Sequence, residues 1–409
     1  MGNATRRSEI LDVAASLFAS TGLRTSLNDI ADACGIRPGS LYYHFESKEA
    51  LIAELVERFH TALEQLATSA SAGRWSESAP SDAVVAFGQE IADCAVRHRA
   101  ALLLSLFDAP AVAVPESRDV AGRTLPMVHE AMHGLLRVAE EQGELRGGLN
   151  LDAVADRVCQ SMFHVGIGVY HRSRGGRLVP ELKCRIILDG LAAREDGEPL
   201  DGSDAHRVAD QVIEGWKHTE PASGDRAALI RAAARTELAK RGVELTTIRD
   251  VAAAAGVDLR AVYRVVSSKE ELLISVLGDY ATAVSDGWTQ VVEATASPME
   301  KLDALLWLNV NVLDRFHEEH RIQTLSLKQI PPTSENLPLT FGTQLRQLGE
   351  ILAAGDRAGV FRFTDMPADT RARSAFSLVW TPENLVRRLG PEGAHELARD
   401  TVLRGIGRT

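Results

Sequence analysis

The stretch RPGSLYYHFESKEAL at residues 37–51 returns 221 positions later as DLRAVYRVVSSKEEL at 258–272. Leu41 falls on Val262, Tyr42 on Tyr263, Ser47 on Ser268, Lys48 on Lys269 and Leu51 on Leu272. Upstream, TSLNDIADACGI (25–36) matches TTIRDVAAAAGV (246–257); with one residue inserted in the second copy, Ile10, Ala14, Phe18 and Gly22 meet Ile230, Ala234, Leu238 and Gly242. Downstream, GELR (143–146) answers GVFR (359–362), RLVPE (177–181) answers RLGPE (388–392), and LDGL (188–191) answers LRGI (403–406). A lone motif can arise by convergence on a useful turn. Several echoes in one order mark the duplication of a whole unit, so the chain must fold as two copies of one architecture. The segment between them, 196–224, is Gly-, Pro- and Asp-rich at its ends, and its middle has the composition of one helix, which makes it the linker. The divisions that follow are a first head at 1–60, a first body at 61–195, a second head at 225–280 and a second body at 281–409.

Strand signals are sparse, while Ala, Leu, Arg and Glu recur at three-to-four spacing, so both copies are expected to be all-α. The longest apolar run, AALLLSLF at 100–107, falls far short of the ~18 residues of a membrane helix. MGNATRRSEI has no apolar core behind its arginines and does not resemble a secretory signal. Cys34, Cys94, Cys159 and Cys184 show neither close pairing nor metal-ligand spacing, which fits reduced thiols in a cytoplasmic protein.

Within the first head, Ile10, Leu11, Ala14, Leu17 and Phe18 share one helical face that ends near Gly22. Ser26 stands three residues before Asp29 as a capping box, repeated by Thr247 and Asp250. After the turn GIRPG, Pro38 suits the first turn of a third helix whose core residues are Leu41 and Phe45. Ser47 caps a fourth, longer helix. Two short helices joined by a tight glycine turn make a helix-turn-helix, whose second helix enters a DNA major groove. Here that helix leaves Ser40, Tyr43 and His44 outward, with the edges of Pro38, Gly39 and Tyr42. Lys48 opposes its own helix dipole, as does Lys269, and a phosphate lying across that terminus would account for both. Residues 1–60 carry six Lys/Arg against eight Asp/Glu, and the whole chain has net charge −11. Any positive patch must therefore come from the placement of Arg6, Arg7, Arg24, Arg37 and Lys48.

The succession of an amphipathic first helix, TSLNDIADACGI and LYYHFxSKEAL resembles the TetR family of bacterial repressors. The resemblance implies two tandem units, each a helix-turn-helix head on a larger helical body that holds a small-molecule effector and dimerises through its last helices. By position it assigns DNA contacts to Thr25, Ser26, Arg37, Pro38, Gly39, Ser40, Tyr42, Tyr43, His44 and Lys48, and to Thr246, Thr247, Arg249, Arg260, Tyr263, Arg264 and Lys269. The implied partners are a double-stranded operator, an effector, and either a second chain (a homodimer) or the other half of the same chain (an intrachain pseudo-dimer). Neither a cofactor nor a metal is implied, and the family is not enzymatic. Two complete units on one chain depart from the usual pattern. So does the second recognition helix, where Arg260 replaces Gly39, Arg264 replaces Tyr43 and Val265 replaces His44; Val265 and Val266 are unusual on a DNA-facing edge, and a second head that has lost DNA binding is the competing reading.

In the bodies, Leu103, Leu106, Phe107, Met127, Met132 and Phe163, and Trp307, Phe316, Phe376 and Trp380, are apolar residues that as a set can line a pocket for a lipophilic effector. The RLVPE element resembles that of regulators with acyl-CoA or steroid-type ligands. One motif belongs to another class: His129, Glu130 and His133 fit the H-E-x-x-H of zinc proteases, with Asp152 or Asp156 as third ligand. The second unit has Leu345 and Gly349 in place of the histidines, so the duplicated architecture does not require them.

Arg260 and Arg264 lie four apart, and arginine reads guanine bidentately. Arg264→Ala is expected to cost about 1–3 kcal/mol of DNA affinity and to relax base preference in one half-site only. Binding to operators randomised in each half separately measures this, and equal loss on both halves would contradict it.

Overall fold

The computed structural model describes residues 2–22, 25–105, 125–167, 178–193, 200–217, 226–328, 340–362 and 367–408. The first unit contains α1 (Gly2–Thr21), α2 (Leu27–Ala33), α3 (Pro38–His44), α4 (Lys48–Ser71), α5 (Pro80–Arg97), α6 (Arg99–Ser105), α7 (Pro126–Glu141), α8 (Leu151–Ile167) and α9 (Val179–Asp189). A linking helix follows, α10 (Asp204–Lys217). The second unit repeats the plan as α11 (Arg226–Leu245), α12 (Ile248–Ala254), α13 (Leu259–Tyr263), α14 (Lys269–Glu293), α15 (Pro298–Arg315), α16 (His317–Lys328), α17 (Phe341–Arg357), α18 (Ala368–Leu378) and α19 (Glu383–Ala398), closed by a π-helical turn, Arg399–Arg404. The all-α tandem architecture is as the sequence indicates.

Local chemistry sets the helix ends. Gly22 and Gly242 adopt positive φ, at 66° and 75°, where a side chain would be strained. Ser26 and Thr247 each close a capping box with Asp29 and Asp250, and Ser47 and Ser268 cap α4 and α14. Positions 60 and 280, the expected edges of the heads, fall inside the unbroken α4 and α14. Each head therefore continues into its trunk along one rigid helix. Two further ties join them: Arg99 on α6 donates to the carbonyl of Ala19 on α1, and Arg235 on α11 pairs with Glu318 and Glu319 on α16.

The two units meet through the segments whose sequences echo one another. Leu191 N–H donates to Val402 O (2.8 Å), and Ile406 N–H to Ile187 O (3.0 Å). Ala192 N–H donates to Leu403 O (2.9 Å), and Gly407 N–H to Leu188 O (2.7 Å). Likewise Arg146 N–H reaches Ile406 O (2.9 Å) while Arg362 N–H reaches Leu191 O (2.7 Å). Each pair is one bond and its counterpart 215 or 216 positions along, the mark of an isologous two-fold interface within a single chain. Gly190 and Gly405 face each other at its centre. A Cβ on Gly190 would lie 2.4 Å from Gly405 N, and one on Gly405 would lie 2.4 Å from Gly190 N. Around this axis α8 and α9 pack on α18 and α19. The buried Arg157 donates to Leu378 O (2.6 Å), Gln160 to Asn384 (2.9 Å), and Arg388 pairs with Asp152 and Asp156.

The middle of the linker is an integral helix. On α10, Ala205 and Ala209 are fully buried, Trp216 packs edge-on against Phe316, and His206 stacks on Trp307. Below them the fully buried Asp303 on α15 receives Arg399 through two bonds (2.7 and 2.8 Å) and lies 3.1 Å from His395 Nε2. Burial alone would push the Asp303 carboxyl up; bonds from Arg399, His206 and His395 outweigh it and hold the group well below the usual carboxylate range. Asp201, His206 and Asp303 offer ligand atoms within 4.8 Å of one another. The Arg399 guanidinium already bridges Asp201 and Asp303, so the cation serving this cluster is an arginine.

Gly190→Ala is expected to lower the unfolding free energy by about 3 kcal/mol or more, from left-handed strain plus backbone overlap across the axis. Gly278→Ala, on α14 with open space at its Cβ position, should change it by less than about 1 kcal/mol. Urea unfolding of both variants checks the contrast, and a mild Gly190→Ala would rule out the apposition.

Candidate functional site

The first recognition surface is built on α3. Leu41 and Phe45 are buried beneath it, while Arg37, Pro38, Gly39, Ser40, Tyr42 and Tyr43 are exposed and His44 is half-buried. Tyr43 is 78% exposed, the extreme among the large apolar side chains of the described residues, and its ring meets His44 edge-on. Ser26 is exposed at the start of α2. Thr25 is not: it is buried, and its hydroxyl donates to Gly22 O, so it shapes the turn rather than facing outward. Arg6 and Arg7 are also corrections to the expected patch. Arg6 donates to Cys34 O at the end of α2; Arg7 pairs with Glu54, donates to His44 O at the end of α3, and lies 4.2 Å over the Phe45 ring. They clamp the two short helices onto α1. Arg24 lies outside the described residues.

The second head differs in the details that matter. Thr247, Arg249, Arg260, Tyr263 and Arg264 are exposed, and Thr246 is buried like Thr25, its hydroxyl donating to Gly242 O (2.8 Å). Val266 is buried in the place of Phe45, so only Val265 stays near the rim. Ala227 stands where Arg7 does, which removes the clamp on the helix end. Accordingly α13 closes at Tyr263, with Arg264 as its C-cap, while α3 runs two residues further to His44. Asp258 stands where Arg37 does and caps α13 by accepting from Ala261 N (2.7 Å). This charge reversal at the entrance of the reading helix was overlooked in the sequence, although the repeat alignment exposes it.

The heads touch. Gly22 of the first lies against Glu244 of the second: a Cβ on Gly22 would sit 2.9 Å from Glu244 Oε2. Lys48 is half-buried at the same junction, 5.8 Å over the Phe18 ring. Burial lowers its ammonium pKa, opposed by the charges of Glu49, Glu244 and Asp29. Lys269 Nζ lies 3.4 Å from the Glu244 carbonyl. The two lysines assigned to phosphate thus both lie at Glu244 where the heads meet, Lys48 within the field of its carboxylate and Lys269 on its backbone carbonyl.

Residues 10–55 and 230–276 each match the sequence profile of the bacterial regulatory proteins of the tetR family. The chain is 30% identical over 197 residues to the HTH-type transcriptional repressor KstR2 of Rhodococcus jostii, covering 47% of this chain and 94% of that one. The chain belongs to the TetR family. The KstR2 repressor of Mycobacterium tuberculosis is 54% identical over 56 residues, 13% of this chain and 28% of that one. A solved structure, that of Probable transcriptional regulatory protein RHA5900, aligns with 44% of this chain and 96% of its own at 24% identity and a TM-score of 0.37.

The residues expected to line TetR-type pockets divide on inspection. Met132 and Phe163 are buried in the first trunk, Phe163 edge-on to Phe59, and Leu103 is half-buried. Met127, in the first turn of α7, is exposed. Leu106 and Phe107 lie outside the described residues. In the second trunk Phe376 and Trp380 join an aromatic interior with Trp288, His320 and Phe341. Phe316 sits at its edge between Trp216 and Tyr280. Trp307 faces away, donating to Asp210 on α10 (2.8 Å). In the HEAMH segment, His129 Nε2 lies 3.3 Å from Asp152, and that carboxylate also holds Arg388. Asp156 pairs with the same arginine. The nominated third ligands are thus bound up in the contact between the units.

Glu244→Gln removes the carboxylate that a DNA phosphate would have to face beside Lys48. Affinity for operator DNA is expected to rise severalfold, and the gain should largely disappear in a Lys48→Ala background, a coupling read by a double-mutant cycle of anisotropy titrations. An equal gain with and without Lys48 would show that the two charges act separately.

Proposed function

We propose that this TetR-family chain is a repressor that binds an operator with two unequal half-sites, each read by one head, as a pseudo-dimer formed within a single polypeptide. One observation carries the reading: the reciprocal backbone bonds about Gly190 and Gly405 join the last helices of the two units and leave both reading surfaces exposed. The relatives described by name as repressors support the sign of the regulation. Unequal half-sites follow from unequal readers. The first presents Arg37, Gly39, Tyr43 and His44, with Ser26, Ser40, Tyr42 and Lys48 as further contacts. The second presents Asp258, Arg260, Arg264 and Val265, with Thr247, Arg249, Tyr263 and Lys269. Arginine favours guanine at base edges, whereas the serine, tyrosine and histidine of the first head suit sugar and phosphate.

The effector reading is that a small molecule enclosed by the trunk helices moves the heads through α4 and α14. The first trunk, with buried Val128, Met132 and Phe163, suits the apolar part of an acyl-CoA or steroid-type metabolite. No helix among the described residues is long and apolar enough to cross a membrane, and we place the protein in the cytoplasm with its DNA.

The test is titration of the full chain against the DNA upstream of its own coding region, at several salt concentrations, with the mass of the complex measured. The expected result is one chain per two-half-site operator with a steep negative salt slope. Two chains on one such operator, with either half-site replaceable by the other, would overturn the reading.

A further inference from the structure

We infer that the interior of the second trunk binds an uncharged, ring-bearing small molecule with hydrogen-bonding groups on its edge, chemically distinct from anything the first trunk can hold. The inference rests on the effector-sensing reading above and names the ligand class for one of the two trunks.

Among the described residues, five buried polar atoms of the second trunk have no hydrogen-bond partner: Thr324 Oγ1 on α16, Gln344 Nε2 and Gln347 Oε1 on α17, Ser374 Oγ on α18, and Trp380 Nε1 just beyond it. Gln344, Gln347 and Ser374 are at least nine-tenths buried. An unmatched buried polar group costs about 1–3 kcal/mol, so several in one interior require an explanation. Trp380, Gln344 and Gln347 belong to a connected set of groups, and Ser374 lies two residues before Phe376 on α18. The Trp380 ring lies 4.4 Å from His320 and 6.2 Å from Phe341, and Phe341 lies 5.7 Å from Phe376, centroid to centroid. Trp288 stands 6.2 Å from Phe376. A polar rail runs beside these rings. Tyr280 Oη meets His320 Nδ1 at 3.1 Å, Gln323 donates to Thr340 Oγ1 at 3.1 Å, and Thr340 Oγ1 donates to Gln344 Oε1 at 3.3 Å. Gln347 donates to Thr289 Oγ1 at 3.1 Å, which leaves its carbonyl unused.

The inventory specifies the ligand. Flat aromatic walls accept a ring. Trp380 Nε1–H and the Gln344 amide offer donors, Gln347 Oε1 offers an acceptor, and Ser374 serves as either. The carboxylate bordering this interior, Glu319, is paired with Arg235 at 3.2 Å. The unmatched atoms are all neutral; Arg157 spends its two amino groups on Thr381 and Leu378 O, on either side of Trp380, and His320 meets Tyr280 Oη, so among the described residues neutral donors and acceptors are what this interior offers a ligand. The first unit is an internal control. With the 216-residue offset of GELR and GVFR, the counterparts of Gln344, Gln347 and Ser374 are Val128, Ala131 and Val158, all buried and apolar. At these three positions the same architecture thus carries two chemistries; the counterpart of Trp380 is His164, and that of Thr340 lies outside the described residues.

The test uses the full chain and three probes: 6-hydroxy-1-tetralone (an uncharged two-ring ketone with one phenol), 2-naphthoate and dodecanoate. Calorimetric titration is expected to show one saturable site per chain for the tetralone, with at least tenfold weaker binding of both carboxylates. Gln344→Leu should weaken the tetralone at least tenfold, and Gly278→Ala, with open space at its Cβ position on α14, should leave it unchanged. Ser374→Ala, which deletes an unmatched hydroxyl, should raise the melting temperature of the free protein while weakening the probe. Absence of a saturable tetralone site, equal or tighter binding of either carboxylate, or insensitivity to Gln344→Leu would overturn the assignment. So would a lower melting temperature for Ser374→Ala, since it would reveal a partner. Operator binding is measured in parallel without probe. Its failure alone would remove the repressor reading and leave the ring site standing.

Discussion

A handful of backbone hydrogen bonds exchanged between residues 187–192 and 402–407 organises the molecule. They require two glycines at close approach, and they are obtained by repeating one loop conformation about a local two-fold axis. Everything outward follows from that axis. The last helices of each unit lie side by side, the trunks flank them, and the heads meet where Gly22 touches Glu244. Main-chain pairing of this kind is indifferent to most side chains, so the two copies can diverge elsewhere while the junction between them persists.

Divergence has been unequal across the copies. The capping boxes, the glycine helix stops and the serine caps of α4 and α14 survive in both, because each sets a backbone direction. The clamp formed by Arg7 and Glu54 survives only in the first, where it secures the end of α3; in its absence α13 closes two residues early. In the trunks glutamine and serine stand at 344 and 374 where the first unit has Val128 and Val158, and α18 is shorter than α8, 11 residues against 17. The copies thus keep what positions the site and change what the site can recognise.

Much of this was readable from residues alone. The repeat, the helical class and the caps follow from spacing and composition, and the echoes GELR/GVFR and LDGL/LRGI marked structural counterparts, whereas RLVPE lies at the start of α9 and RLGPE at a kink within α19. Their role as the meeting surface was not readable, because a backbone donor and acceptor leave no trace beyond a glycine repeated in both copies. Arg6 and Arg7 looked like a phosphate patch because sequence gives charge but not direction; both turn inward to helix-end carbonyls. Trp307 and Met127 were grouped with interior residues by hydrophobicity, yet one packs on α10 and the other faces solvent. Tyr280, Gln323 and Gln344 drew no notice because isolated polar residues on amphipathic helices usually face water. Burial beside an aromatic wall emerges only once three helices converge.

The tethering of both halves by α10, itself packed into the second trunk, changes how such a regulator responds to its own abundance. Separate subunits must first find each other, so the active species grows with the square of a scarce protein's concentration. A covalent pair assembles at a fixed internal concentration. On the proposed single-chain reading, operator occupancy at low abundance would scale with the number of chains rather than with its square.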